Sequence, residues 1–198
     1  PAKPSQRGQR LRFALPAELA AHAQAFCRAE GYTPFVLLLA TWQLLLARYS
    51  GQQAFAIGVP HAARSRCELE ELIGFFVNTL VLRTDLSDDP TFSALLQRNR
   101  GMHLAAQSHQ DVPFELVVER IKPERSLAYN PLFQVLFVLQ NNEQVSLELP
   151  DLAISPYQRD SEGSVKFDLT LTAITDTDGL YFSWGYCTDL FSAQRIQI

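Results

Sequence analysis

Between Thr33-Pro34 and Ser50-Gly51 runs the stretch that most restricts what this chain can become. Phe35, Leu38, Leu39, Trp42, Leu45, Leu46 and Tyr49 recur at the i, i+3, i+4, i+7 spacing of one helical face, while Val36, Leu37 and Leu44 cover the opposite side. A helix apolar on every side needs cover on every side, so the spacing predicts one buried nearly all round. Thr33 offers a capping hydroxyl, Pro34 suits the first turn, and Ser50-Gly51 ends the helix. A bilayer cannot be the cover. The run from Phe35 to Ala47 contains Thr41, Trp42 and Gln43 and is closed by Pro34 and Arg48, whereas a membrane span takes about 20 apolar residues. The rest of the chain must do it: 198 residues, 47% hydrophobic and 19% charged, are enough to build a sizeable core and too apolar to stay disordered.

The other elements follow from alternation and punctuation. Arg10 to Leu15 alternates as a strand with Leu11, Phe13 and Leu15 on one face. Pro16 opens a helix over Ala17 to Ala29, ended by Gly31. Strands are expected at Ala54–Val59, stopped by Pro60, at Phe75–Arg83 and at Phe133–Gln140. Asp89-Pro90 is expected to cap a helix with the stripe Phe92, Leu95, Leu96, Asn99, Met102 and Ala106, and Asp111 a short one reaching Arg120. Lys166–Ile174 and Leu180–Tyr186 read as a hairpin around Thr175 to Gly179. Asn141 to Gly163 reads as a long loop with one short strand, Ala153 to Tyr157. The fold class is therefore α/β, an α+β layered sandwich of a mixed sheet with packed helices.

Several function classes drop out. A net charge of -4 with no basic run argues against nucleic acid as a partner. No signal-peptide pattern opens the chain, and nothing in it reads as membrane-bound, so a cytoplasmic location is expected. Cys27, Cys67 and Cys187 form neither a zinc pattern nor a disulfide framework. His22, His61, His103 and His109 show no ligand cluster, and no metal is expected. No G-x-S-x-G, G-x-G-x-x-G, phosphate loop or H-E-x-x-H occurs.

Three stretches carry the remaining signal: Ile73 to Arg83, with Gly74 and the amide Asn78; His109 to Glu115, with Asp111; and Arg125 to Leu132, with Asn130. Asn78 lies in an otherwise apolar strand, and burying it without partners costs about 1–3 kcal/mol, so it must either brace a neighbouring loop or meet a substrate. Asp111 reads as a helix cap.

These stretches resemble the condensation domains of nonribosomal peptide synthetases. Thr33-Pro34-Phe35, Arg48 to Gln52 and Gly58 to Arg64 look like that family's helix and strand signature. Ile73–Arg83 and His109–Glu115 match two of its core motifs in full. Arg125–Leu132 matches a third, R-D-x-S-R-N-P-L, with Ser126, Ala128 and Tyr129 in place of Asp, Ser and Arg. Phe167-Asp168-Leu169 and Thr188 to Phe191 look like its late strand and sequel.

The resemblance implies one of two chloramphenicol-acetyltransferase-like lobes. The family's catalytic H-H-x-x-x-D-G belongs to the N-terminal lobe, and no two histidines are consecutive here. Residues 1–198 are therefore expected to form the C-terminal lobe and to hold no catalytic residue. Expected partners are the N-terminal lobe, peptidyl and aminoacyl carrier proteins and adjacent synthetase domains. No cofactor is expected to bind directly; phosphopantetheine arrives on the carriers, whose acyl groups meet in a tunnel between the lobes.

Arg64 matches the arginine that pairs with the motif aspartate of the other lobe, a geometry that suits a guanidinium. Gly74, Asn78, His109, Asp111, Arg125 and Asn130 are expected to be interlobe or structural motif residues, and Gln140 and Asn141 are candidates to line the tunnel. Three functions follow: half of a peptide-bond-forming domain; a lobe that docks carrier proteins or neighbouring domains without chemistry; or a lobe of an epimerisation domain or another acyltransferase of this fold. The His109–Glu115 pattern, usually missing from epimerisation relatives, favours the first.

Overall fold

The computed structural model describes residues 5–62, 68, 72–74, 76–124, 126–140, 163–176 and 179–197. Its strands are β1 (Arg7–Ala14), β2 (Ala54–Ala62), β3 (Val77–Asp85), β4 (Val135–Gln140), β5 (Gly163–Ser164), β6 (Leu169–Asp176) and β7 (Gly179–Cys187). The helices are α1 (Ala17–Glu30), α2 (Pro34–Ser50), α3 (Phe92–Ser108), α4 (Phe114–Ile121) and α5 (Ala193–Ile196). The strands form one mixed sheet in the order β3-β2-β4-β6-β7-β1-β5. β4 runs parallel to both β2 and β6, and the other pairs are antiparallel.

The apolar helix organises the rest. Thr33 Oγ1 accepts a hydrogen bond from the Val36 N–H, Pro34 occupies the first turn, and Gly51 ends α2 in the left-handed conformation at φ 70°. α2 packs against α1 and α3 and lies on the sheet, where Phe35 meets Phe137 of β4 and Trp42 meets Trp184 of β7. Phe35, Val36, Leu39, Ala40, Trp42 and Gln43 are buried. Cover is incomplete at its C-terminal end, where Leu45 is 37% and Tyr49 58% exposed. The expectation of burial nearly all round therefore holds for its first three turns and fails for the last. Leu45 and Tyr49 line a groove walled on the far side by Trp184, Phe191 and Ile196.

Other sequence expectations shift at their edges. Pro60 does not stop β2, which continues through it to Ala62 opposite Val77 of β3. On its other side β2 is paired with β4 only at Ile57 and Gly58, so the strand is one-sided where the proline falls, and there a missing N–H is tolerated. Thr91, not Asp89, caps α3: its hydroxyl accepts from the Ala94 N–H, while Asp89 sits in the turn before it at φ 48°. Phe92, placed in the buried stripe by its spacing, is 40% exposed. β3 and β4 start two residues later than alternation suggests. β5, a two-residue strand beside β1, has no sequence signal; the expected strand Ala153–Tyr157 lies outside the described residues.

Candidate functional site

Asn78 is the second residue of β3, opposite His61 of β2. Its amide reaches across to the chain entering α4. Nδ2 donates to the carbonyls of Gln110 and Val112, both at 2.8 Å, while Oδ1 accepts from the Thr79 N–H at 2.9 Å and the Phe114 N–H at 3.1 Å. A carboxamide has two donor hydrogens and two acceptor lone pairs, so all four are used. The bond to Phe114 satisfies the first N–H of α4, a helix whose own N-cap, Pro113, has no side-chain oxygen to offer. The expected cap, Asp111, is exposed and does not perform this role; a strand 36 residues away performs it. A local motif does not reveal that, because the signal lies in a long-range pair.

The third motif joins through aromatic rings. Phe114 meets Phe133 edge-on at 5.6 Å, and Phe133 stacks on Phe167 at 5.3 Å. The Phe133 ring lies so close to β2 that a Cβ on Gly58 would run into it. Asn130 donates from Nδ2 to the Lys166 carbonyl at 2.9 Å, and the Gln134 amide returns to the Asn130 carbonyl at 2.9 Å. Asn78, the loop 109–114, Phe133 and Asn130 therefore form one continuous scaffold along the sheet.

The same region contains a fork. β2 and β4 are parallel and paired only at Ile57 with Val135 and Gly58 with Leu136. Beyond that point β2 follows β3 to Ala62, whereas β4 follows β6 to Gln140. Four residues on each strand thus run on with no ladder between them. Helix-layer rings lie at the fork: Phe35 packs 5.4 Å from Phe137 of β4, and His103 of α3 stacks on Phe35 at 4.1 Å. Burial, and after it the charge of His61, lowers the His103 pKa, so this imidazole is neutral at neutral pH. Sequence reading singled out neither histidine for this place.

Elsewhere electrostatics is plain. Burial raises the Asp168 pKa, and the buried Cys27 thiol is pushed up as well, away from reactive thiolate character. Among the described residues no group of three or more His, Cys, Asp or Glu could hold a metal ion. No described helix is long and apolar enough to cross a membrane.

A family model described as the condensation domain matches residues 1–198. The chain belongs to the condensation-domain family. It is 44% identical to malpinin synthetase of Mortierella alpina and 39% identical to bacitracin synthase 3 of Bacillus licheniformis, with 100% and 98% of this chain covered. It spans only 2% and 3% of those two proteins. Among solved structures it resembles the X-domain in its complex with OxyB from teicoplanin biosynthesis, with a TM-score of 0.85 and 28% identity, matching all of this chain and 44% of that one. It also resembles AB3403, a four-domain nonribosomal peptide synthetase, with a TM-score of 0.88 and 25% identity, over all of this chain and 16% of that one. The expected α/β fold, of the chloramphenicol-acetyltransferase-like kind, is the one observed.

Within this condensation-domain chain the sequence-selected residues fall in three groups. Asn78, His109, Asp111 and Asn130 lie on or beside the scaffold; His109 ends α3 and is exposed, and neither its imidazole nor the Asp111 carboxylate supplies the bonds that hold the loop. Gly74 sits in an exposed bend before β3, and Gln140 is exposed at the tip of the β4 arm of the fork. Arg64, Arg125, Asn141 and Cys67 lie outside the described residues. What the described residues can do is hold a shape: their bonds fix loops and rings in place.

Proposed function

We propose that this chain is the C-terminal lobe of a peptide-bond-forming condensation domain in a nonribosomal peptide synthetase. The observation that carries the reading is the convergence of its motif stretches on one scaffold, with Asn78 tying the loop 109–114 beside the fork. The family match over the whole chain supports it, as does the absence of consecutive histidines. In this reading an N-terminal lobe supplies H-H-x-x-x-D-G. Peptidyl and aminoacyl carrier proteins deliver phosphopantetheine-tethered groups to a tunnel between the lobes, and the acceptor amine attacks the donor thioester. Arg64 pairs with the motif aspartate of the other lobe, Gln140 and Asn141 line the tunnel, and the assembly works in the cytoplasm. The lobe itself contributes walls and a docking surface, so this chain alone forms no bond. The test mixes loaded donor and acceptor carrier proteins with the parent synthetase or with this chain and follows dipeptidyl product by mass spectrometry.

One observation favours a second reading. A related X-domain is known in complex with another protein, OxyB. A lobe of this fold that docks partners without chemistry would bind carrier proteins while the parent, too, gave no product.

A further inference from the structure

At the end of the sheet where β4 and β6 begin, the 126–131 loop and the chain entering β6 enclose a pocket of about 320 Å3. The fork lies toward the other end, its arms finishing at Ala62 and Gln140. Ser126, Ala128 and Tyr129, the three residues at which the third motif departs from R-D-x-S-R-N-P-L, all line this pocket, together with Lys166, Phe167 and Asp168. Its walls are held in place. Asn130 ties the loop to the Lys166 carbonyl at 2.9 Å, Ser126 Oγ accepts from the Ala128 N–H at 3.0 Å, and Phe167 is stacked on Phe133. Asp168 alone carries a charge that nothing there answers. Its backbone is spent, the N–H donating to the Gln134 carbonyl and the carbonyl accepting from the Cys187 N–H, both at 3.0 Å. Its half-buried carboxylate has no hydrogen bond or ion pair among the described residues. Lys166 lines the same pocket and Arg195 the groove beside α2, and neither pairs with it. A carboxylate taken partly out of water without a counter-charge is costly, and burial raises its pKa.

We propose that this pocket binds a guanidinium group, with Asp168 as its counter-charge and the Tyr129 ring as the face it lies against. The residue types select the class. A guanidinium is planar, offers two parallel N–H donors to the two carboxylate oxygens, and stacks on an aromatic ring. An ammonium is a compact, strongly hydrated point charge and gains less from both. The motif supplies a separate reason. An arginine at position 129, where R-D-x-S-R-N-P-L has one, would carry a guanidinium into this pocket from within. Here a phenol ring stands in its place and leaves the carboxylate bare. Lys166 is exposed, so water and salt screen its charge. The site stands whether or not the chain serves peptide-bond formation.

The test titrates N-acetyl-arginine amide into this chain and, separately, into the parent synthetase, with N-acetyl-lysine amide for comparison. The chain is expected to bind the arginine probe about fivefold more tightly than the lysine probe. Asp168→Asn, nearly the same in shape, is expected to weaken that binding about tenfold, and Tyr129→Ala about threefold. Tyr129→Arg supplies the guanidinium from within, so it is expected to block the probe and raise the melting temperature. If Asp168→Asn does not melt cooperatively, Tyr129→Arg carries the same test, because it leaves Asp168 in place. Binding to both chain and parent identifies a free guanidinium compound as the ligand. Binding to the chain but not to the parent identifies an arginine side chain of the parent that already fills the pocket. No binding to the chain overturns the proposal, as does equal affinity for the lysine probe. Binding that survives Asp168→Asn and Tyr129→Arg overturns it too, and failure of both variants to fold does the same by making these residues purely structural.

Discussion

Asn78 shows how one side chain can do the work of a motif. Removing its amide strands two carbonyls, the Thr79 N–H and the first N–H of α4. Asn78→Ala is expected to cost about 2–4 kcal/mol, from one lost cap and the partly buried groups left unpaired. Asn78→Asp keeps the acceptor toward Phe114 and loses both donors, so it falls between. Asp111→Ala is expected to change stability by less than about 0.5 kcal/mol, because its exposed carboxylate caps nothing. Urea unfolding of the three variants checks the order, and Asp111→Ala as costly as Asn78→Ala would contradict it. Two titrating groups act in opposite directions. The His103 pKa lies below the ordinary 6.5, so the unfolded chain takes up the proton first, and its contribution to stability is lost as pH falls below about 6.5. The Asp168 pKa lies above 3.8, so the folded chain holds its proton longer, and the contribution is lost as pH rises through the folded value. Melting curves from pH 4 to pH 8 are expected to show that His103→Phe flattens the acid fall near pH 6, and that Asp168→Asn gains most at neutral pH.

At the scale of elements, α2 and α3 are joined by a buried polar pair. Asn99 Nδ2 donates to Gln43 Oε1 at 2.8 Å, with both side chains essentially without solvent contact and Gln43 Nε2 lacking a partner among the described residues. Gln43→Leu or Asn99→Leu alone is expected to cost about 1–3 kcal/mol, and the double replacement much less than their sum, since an orphaned buried group costs more than a missing pair. Additive costs in a double-mutant cycle would refute this. Gly58→Ala is expected to destabilise by about 1–3 kcal/mol, because Phe133, held between Phe114 and Phe167, cannot move away from a new methyl group. These elements also show what was legible in advance. The all-round apolar pattern of α2, the Thr33 cap, the Gly31 and Gly51 stops and the β6–β7 hairpin were readable, because each signal is local. The continuation of β2 through Pro60, the fork, and Asn78 as the cap of α4 were not, because each depends on which strand or loop ends up alongside. The Thr91 cap is hidden for a smaller reason: Asp89-Pro90, two residues earlier, carries a start signal of its own.

The whole molecule leaves apolar surface open. Ile73 and Leu127 are almost entirely exposed, and Leu72, Leu104, Leu116, Ile121 and Tyr49 are about half exposed. Patches beyond a few hundred Å² commonly mark interfaces, and a net charge of -4 repels copies only modestly. The isolated chain is expected to self-associate as concentration rises and to bind a dye for apolar surface; a constant monomer mass in sedimentation, with no dye binding, would show it self-sufficient. The central claim is that this fold is a wall of a peptide-forming tunnel, with its chemistry supplied by another lobe. The most direct measurement is product formation from loaded donor and acceptor carrier proteins, followed by mass spectrometry with the parent synthetase and with this chain alone. The account predicts dipeptidyl product from the parent and none above background from the chain. Product from the chain alone, or none from the parent, would contradict it.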